Sequence, residues 1–154
     1  LQTFSAYEVG EYYGQCAEFC GAAHALMRFR VDVKTTAGFE NWATAHNAGP
    51  VALEPGSAAA RGQMGFATCA GCHAISGTAA QGRTGPDLSL FGERSTVAAG
   101  ILDNTDANLK AWIGDVRSVK PIPEGARFMP TFKDTLDEGQ IADIAAYLNS
   151  LTAE

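Results

Sequence analysis

Two short runs in the 154-residue chain carry side chains that could do redox or metal chemistry: Cys16-Ala-Glu-Phe-Cys20-Gly-Ala-Ala-His24-Ala-Leu-Met27, and Cys69-Ala-Gly-Cys72-His73. The second has the order Cys-x-x-Cys-His, the attachment signature of a covalent c-type haem. On a helical turn the thiols at i and i+3 share a face and reach the two haem vinyl groups, while His73 turns its imidazole onto the iron. A thioredoxin-like redox pair would need a βαβ setting that this half lacks, and a zinc site would need two further ligands nearby. Iron in an electron carrier takes a sixth ligand from the protein, and Met paired with His raises the potential. No His follows the motif, and Met129, in Arg127-Phe-Met-Pro130, is the one Met beyond it. By elimination Met129 is the distal ligand. The plainer alternative is a core gap-filler, but Pro130 stiffens the loop as a presented ligand requires. Met64, ahead of the motif, reads as core.

The first run gathers soft thiolates, an imidazole and a thioether, a set that suits copper better than any hard cation. Cys16 and Cys20 can both bridge two copper ions, His24 can cap one, and Met27 can sit axially at the other. Two other readings stand beside this one. A Cys16–Cys20 disulfide is open to a protein outside the cytoplasm, and zinc could take Cys16, Cys20 and His24.

The elements that must position these residues change character near residue 50. Met27, Phe29, Val31 and Val33 alternate with Arg28, Arg30, Asp32 and Lys34, the pattern of a half-buried antiparallel strand. Residues 8–14 supply a partner strand, so the first run is predicted on the loop between two strands. Phe39, Trp42, Ala43 and His46 follow helical spacing over residues 38–47, with His46 read as packing or surface. Gly49, Pro50, Pro55 and Gly56 punctuate a linker over residues 48–57, which should let the second half swing. Ser57 offers an N-cap for a helix that runs into the second motif. Residues 74–100 read mainly as loop, a helix spans about residues 105–116, and Thr135-Leu-Asp-Glu138 has the pattern of a capping box for the last helix.

With these residues in place, two family resemblances emerge. Residues 58–152 resemble a class I cytochrome c domain: a helix ending in the haem motif, a Gly85-Pro86-Asp87-Leu88 turn, a distal Met loop and a C-terminal helix. The resemblance implies that the Pro86 carbonyl fixes the tautomer of His73, and that the first and last helices cross, bringing Phe66 near Tyr147 and Leu148. It also brings Trp112 and Arg94 towards the haem propionates, with core packing an equal reading for Trp112. The pattern Cys-x-Glu-x-Cys-x-x-x-His-x-x-Met resembles the CuA site in subunit II of cytochrome c oxidase. In that family the Glu, here Glu18, lends its backbone carbonyl to copper, and its carboxylate faces a magnesium site shared with the catalytic subunit. Nitrous oxide reductase has a similar loop, but typically with Trp where this chain has Glu18.

The implied fold class is mixed: an incomplete all-β cupredoxin remnant, with the last strands and the CuA loop, followed by an all-α class I cytochrome c domain. The corresponding division is 1–37 for the cupredoxin part, 38–47 for a short helix, 48–57 for the linker and 58–152 for the cytochrome. The resemblance also calls for a second copper-ligating His ahead of Cys16, where the chain has none. The chain lacks an initiator Met, and Leu1 to Tyr7 alternate like the middle of a strand. It is therefore expected to be the C-terminal part of a longer subunit, with two membrane helices and most of the barrel upstream. Its copper loop should bind weakly or not at all when alone.

The net charge of −6 divides into −2 over residues 1–47 and −4 over residues 48–154, so neither half offers the basic patch that nucleic acid needs. No run approaches the roughly 18 apolar residues of a membrane span. The resemblance implies an electron-input subunit of a haem–copper oxidase, with one covalent haem c and a binuclear CuA centre. Its partners would be the catalytic subunit I and an external donor such as a cytochrome c, on the extracytoplasmic (periplasmic) face of a bacterial membrane. The chain itself would move electrons and hold no catalytic residue. The alternative is a free-standing c-type carrier with a vestigial copper loop.

Overall fold

The computed structural model describes residues 3–50, 52–122 and 128–153. It opens with an antiparallel hairpin, β1 (Gly10–Gln15) and β2 (Arg28–Val33), in register from Gly10 opposite Val33 to Gln15 opposite Arg28. Cross-strand pairs hold it: the Arg30 guanidinium lies 3.9 Å from the Tyr13 ring centre, and the Phe29 ring covers Gly14 so closely that a Cβ there would stand 2.1 Å from it. Val31 and Val33 are half-buried, whereas Phe29 remains 54% exposed. A two-stranded ribbon buries little by itself, because only a second layer can cover its apolar face.

Helix α1 (Thr36–Ala48) starts two residues before the predicted helix because the Thr35 hydroxyl caps it, accepting from the Gly38 amide at 3.1 Å. Its Trp42 and His46 are half-buried with ring centres 5.3 Å apart, while Phe39 faces outward. No helix among the described residues is long and apolar enough to cross a membrane.

The rest is a helical domain around one core. Helix α2 (Ala58–Gly65), capped by Ser57, crosses α5 (Glu138–Asn149). Gly62 sits at the crossing, where a Cβ would lie 1.8 Å from the Asp143 carbonyl oxygen, so the two backbones touch. Phe66 meets Tyr147 edge-on at 5.6 Å, and Arg61 grips both oxygens of Asp143 at 2.8 Å. Ile75, Leu109, Ile113, Ile144, Leu148 and Leu151 fill the centre. Met64 is no part of it: two residues from both Gly62 and Phe66, it points away from that face and is 72% exposed.

Two further boundaries differ from the sequence pattern. The predicted helix over 105–116 is broken into α3 (Asp106–Gly114) and α4 (Val116–Val119), because the Asp115 carboxylate caps the second by accepting from the Arg117 amide. The capping box lies at Asp137 and Gln140: Asp137 accepts from the Gln140 amide at 2.8 Å and Gln140 returns the bond at 3.0 Å. Thr135 instead turns its hydroxyl to the Phe132 carbonyl. Residues 74–100 are mostly loop, with a bridge between Ala74 and Gln81 and a small ladder of β3 (Thr96–Val97) with β4 (Leu102–Asp103).

Candidate metal centres

The first centre is built on the turn after α2. The amides of Cys72 and His73 both donate to the Cys69 carbonyl at 3.0 Å, winding the segment so tightly that its three side chains leave from one turn. Cys69 is half-buried and Cys72 exposed, and both are free thiols. Burial, and then the neighbouring Cys72, push the Cys69 thiol up to about 11.

The imidazole of His73 is held from behind. Its Nδ1–H donates to the Pro86 carbonyl at 2.8 Å, which leaves Nε2 as the ring nitrogen turned away from that bond. The Gly85 amide donates to the Cys72 carbonyl at 2.8 Å, and a Cβ on Gly85 would stand 2.6 Å from the ring. Gly82 closes the other side, where a Cβ would lie 2.3 Å from the Cys72 carbonyl carbon. Met129 lies half-buried against the core, next to Phe128, whose ring meets Trp112 edge-on at 6.2 Å. Arg94 donates to the Asp87 carbonyl and lies beside Phe91, and burial lowers its pKa. Residues 123–127 of the approach to Met129 lie outside the described residues.

Two thiols, an imidazole with one nitrogen already committed, a thioether against the core and a glycine cradle behind the ring together fit a covalent haem. The cradle was overlooked in the sequence, although Gly85 beside Pro86 was a visible signal for it.

The second centre is the loop that closes the hairpin. The Cys16 amide donates to the Met27 carbonyl at 2.9 Å, so the first and last donors are tied at the base. Gly21, at φ +122, turns the chain, and the His24 amide then donates to the Gly21 carbonyl at 3.0 Å. The result is convergence. The Sγ atoms of Cys16 and Cys20 are 3.5 Å apart, the Cys20 Sγ is 3.8 Å from His24 Nδ1 and 3.3 Å from Met27 Sδ, and the Cys16 thiol donates to the Glu18 carbonyl at 3.3 Å.

Cys16, Cys20 and His24 bring their donor atoms within 4.8 Å of one another, and no other such cluster of three occurs among the described residues. His46 is elsewhere, 3.8 Å from Asp87. The hydrogen bond with Cys16 raises the Cys20 thiol pKa. Two soft sulfurs, one nitrogen, a thioether and a carbonyl fit copper, and zinc would leave the thioether unexplained.

Comparison with known proteins matches two separate segments of the chain. Residues 59–152 match the family model for cytochrome c, and residues 2–34 match that for the periplasmic domain of cytochrome c oxidase subunit II. Among curated relatives, cytochrome c oxidase subunit 2 of Bacillus sp. (strain PS3) is 41% identical over 151 residues, covering 94% of this chain and 40% of the relative. The same subunit of Alkalihalophilus pseudofirmus is 38% identical over 146 residues, covering 94% and 40%. That of Bacillus subtilis is 34% identical over 153 residues, covering 96% and 41%. The chain thus spans about two fifths of the length of these relatives. Through residues 59–152 it belongs to the cytochrome c family, and the subunit II segment ahead of them makes it a homologue of cytochrome c oxidase subunit 2 with a fused cytochrome c domain.

Proposed function

We propose that this chain forms the electron-input part of a haem–copper cytochrome c oxidase. Electrons from an external donor, such as a cytochrome c, would reach a covalent haem c, then a binuclear CuA centre, then the catalytic subunit I that reduces oxygen. One observation supports the reading: Cys16, Cys20 and His24 bring their donor atoms within 4.8 Å of one another on the same chain as a Cys-x-x-Cys-His turn whose His73 is held by the Pro86 carbonyl.

Cys69 and Cys72 would hold the haem through their thiols, and His73 and Met129 would supply the protein's ligands to its iron. When bound, haem iron and the copper pair supply reversible one-electron chemistry. The Pro86 carbonyl keeps the proton on Nδ1 of His73, so that Nε2 is always the ligating atom. At the other end Cys16, Cys20, His24 and Met27 would hold copper with the Glu18 carbonyl, and the exposed Glu18 carboxylate suits a magnesium site shared with subunit I. The hairpin β1–loop–β2 corresponds to the last strands of a cupredoxin barrel, placed on the extracytoplasmic side of a membrane complex. His24 is the one imidazole in the described donor set, so copper uptake by this chain alone is expected to be weak.

The test uses the assembled oxidase. His24→Ala should leave haem c reducible by the external donor at the parent rate but slow its reoxidation and oxygen uptake by about 100-fold. Parent-level oxygen uptake by the variant would overturn the reading.

A further inference from the structure

The cytochrome domain meets the hairpin and α1 at several points, one of them directly after Met27 and another directly after Pro86. The Arg28 amide, directly after Met27, donates to the Ala99 carbonyl at 2.9 Å. That carbonyl is aimed by three successive left-handed residues, Ala98 at φ +57, Ala99 at +60 and Gly100 at +73. Alanine adopts this conformation only at a cost, so the surroundings must hold it there. Gly100 packs tightly there: a Cβ would stand 3.0 Å from the Arg28 Cβ and 3.2 Å from its carbonyl, so Arg28 would have to shift by a few tenths of an ångström.

A second contact lies at the end of α1. Gly49 (φ +84) and Gly77 (φ +74) press so closely that a Cβ on either would be 2.8 Å from the Cα of the other. Beside it, His46 Nε2 is 3.8 Å from the carboxylate of Asp87, the residue after Pro86. The Ser95 hydroxyl donates to Glu11 on β1 at 3.0 Å, and a cleft of about 620 Å³ lies between these contacts, walled by Arg28, Trp42, Asp87 and Arg94.

We propose that the cytochrome domain is fixed on the hairpin by this dock, so that the two centres exchange electrons in one preformed arrangement without a domain swing. This rests on the electron-input reading given above. Part of the segment expected to be a free linker is the docking point itself. A loose tether raises the effective concentration of one module beside the other, whereas a dock removes the search altogether. Because glycine contacts and a backbone hydrogen bond carry it, the dock should also be nearly insensitive to salt.

The experiment compares the oxidase carrying the parent subunit with Gly77→Val, Gly100→Val and, as control, Gly56→Val. Gly56 has φ +77 but nothing within 4 Å of its missing Cβ, so the control bears the same backbone cost without touching the dock. In the parent, the Arg28 amide should resist hydrogen exchange, and haem-to-copper transfer should be independent of solvent viscosity. Gly77→Val and Gly100→Val should each lose that protection and slow the transfer by about tenfold or more, while the external donor still reduces haem c at the parent rate. An Arg28 amide that exchanges freely in the parent, or unchanged transfer in both of these variants, would overturn the dock. Protection of Arg28 together with no transfer at all in the parent would instead sink the electron-input reading and leave the dock standing.

Discussion

Gly62→Ala tests the helix crossing on which the haem turn is mounted. The added methyl carbon would lie 1.8 Å from the Asp143 carbonyl oxygen, which belongs to a backbone and cannot rotate away. Reaching ordinary contact at about 3.4 Å requires α2 and α5 to part by about 1.5 Å, and a gap of even about 1 Å forfeits up to about half of a dispersion contact. Overpacking of this kind costs about 1–3 kcal/mol, and loosening Phe66 from Tyr147 forfeits about 1 kcal/mol more. Against this stands the gain of about 1 kcal/mol from replacing a helical glycine. The net loss is about 1–3 kcal/mol, which for a domain of this size lowers the midpoint by roughly 5–20 °C. Thermal unfolding of the haem-loaded chain, followed by far-ultraviolet circular dichroism and haem absorbance together, reads it directly. Gly65→Ala meets only the flexible Ile144 side chain at 3.3 Å and Gly71→Ala meets nothing within 4 Å, so both should melt close to the parent. If Gly62→Ala melted within about 3 °C of the parent, the backbone contact could not be what sets this crossing.

Gly85→Ala should leave the haem covalently attached but push the His73 ring off the Pro86 carbonyl, because the new carbon starts 2.6 Å from the ring; an unchanged reduction potential would refute this. Lys120 is 5% exposed with no side-chain partner among the described residues, and burial lowers its pKa. Below its ordinary value of 10.5 the folded chain therefore releases this proton before the unfolded chain does, and the parent gains stability as pH rises through that window. Lys120→Met should be neutral or stabilising at neutral pH, with its advantage shrinking towards alkaline pH; a constant difference in urea midpoints would contradict the assignment.

What the sequence made legible was local. The haem signature, the convergent donors of the 16–27 loop, the hairpin and the cap at Ser57 follow from spacing, since the groups involved are near neighbours in the chain. The capping box slipped because Thr135-x-x-Glu138 and Asp137-x-x-Gln140 both satisfy the pattern, and the backbone took the second. Met64 was misplaced because a helical face depends on which residues the partner helix touches, and here Gly62 and Phe66 set it. The dock was invisible for a deeper reason: Gly49 and Gly77, or Arg28 and Ala99, have no sequence relation until the domains fold against each other.

The four cysteines of the chain fall into two pairs. Outside the cytoplasm, adjacent thiols tend towards oxidation, and the two pairs differ in how they resist it. Cys69, held protonated by burial, can wait for the haem. Cys16 and Cys20 are already 3.5 Å apart before any metal arrives, so the convergence that suits copper also shortens the path to a disulfide. A reductant present while copper is supplied should therefore raise the amount of copper this loop takes up.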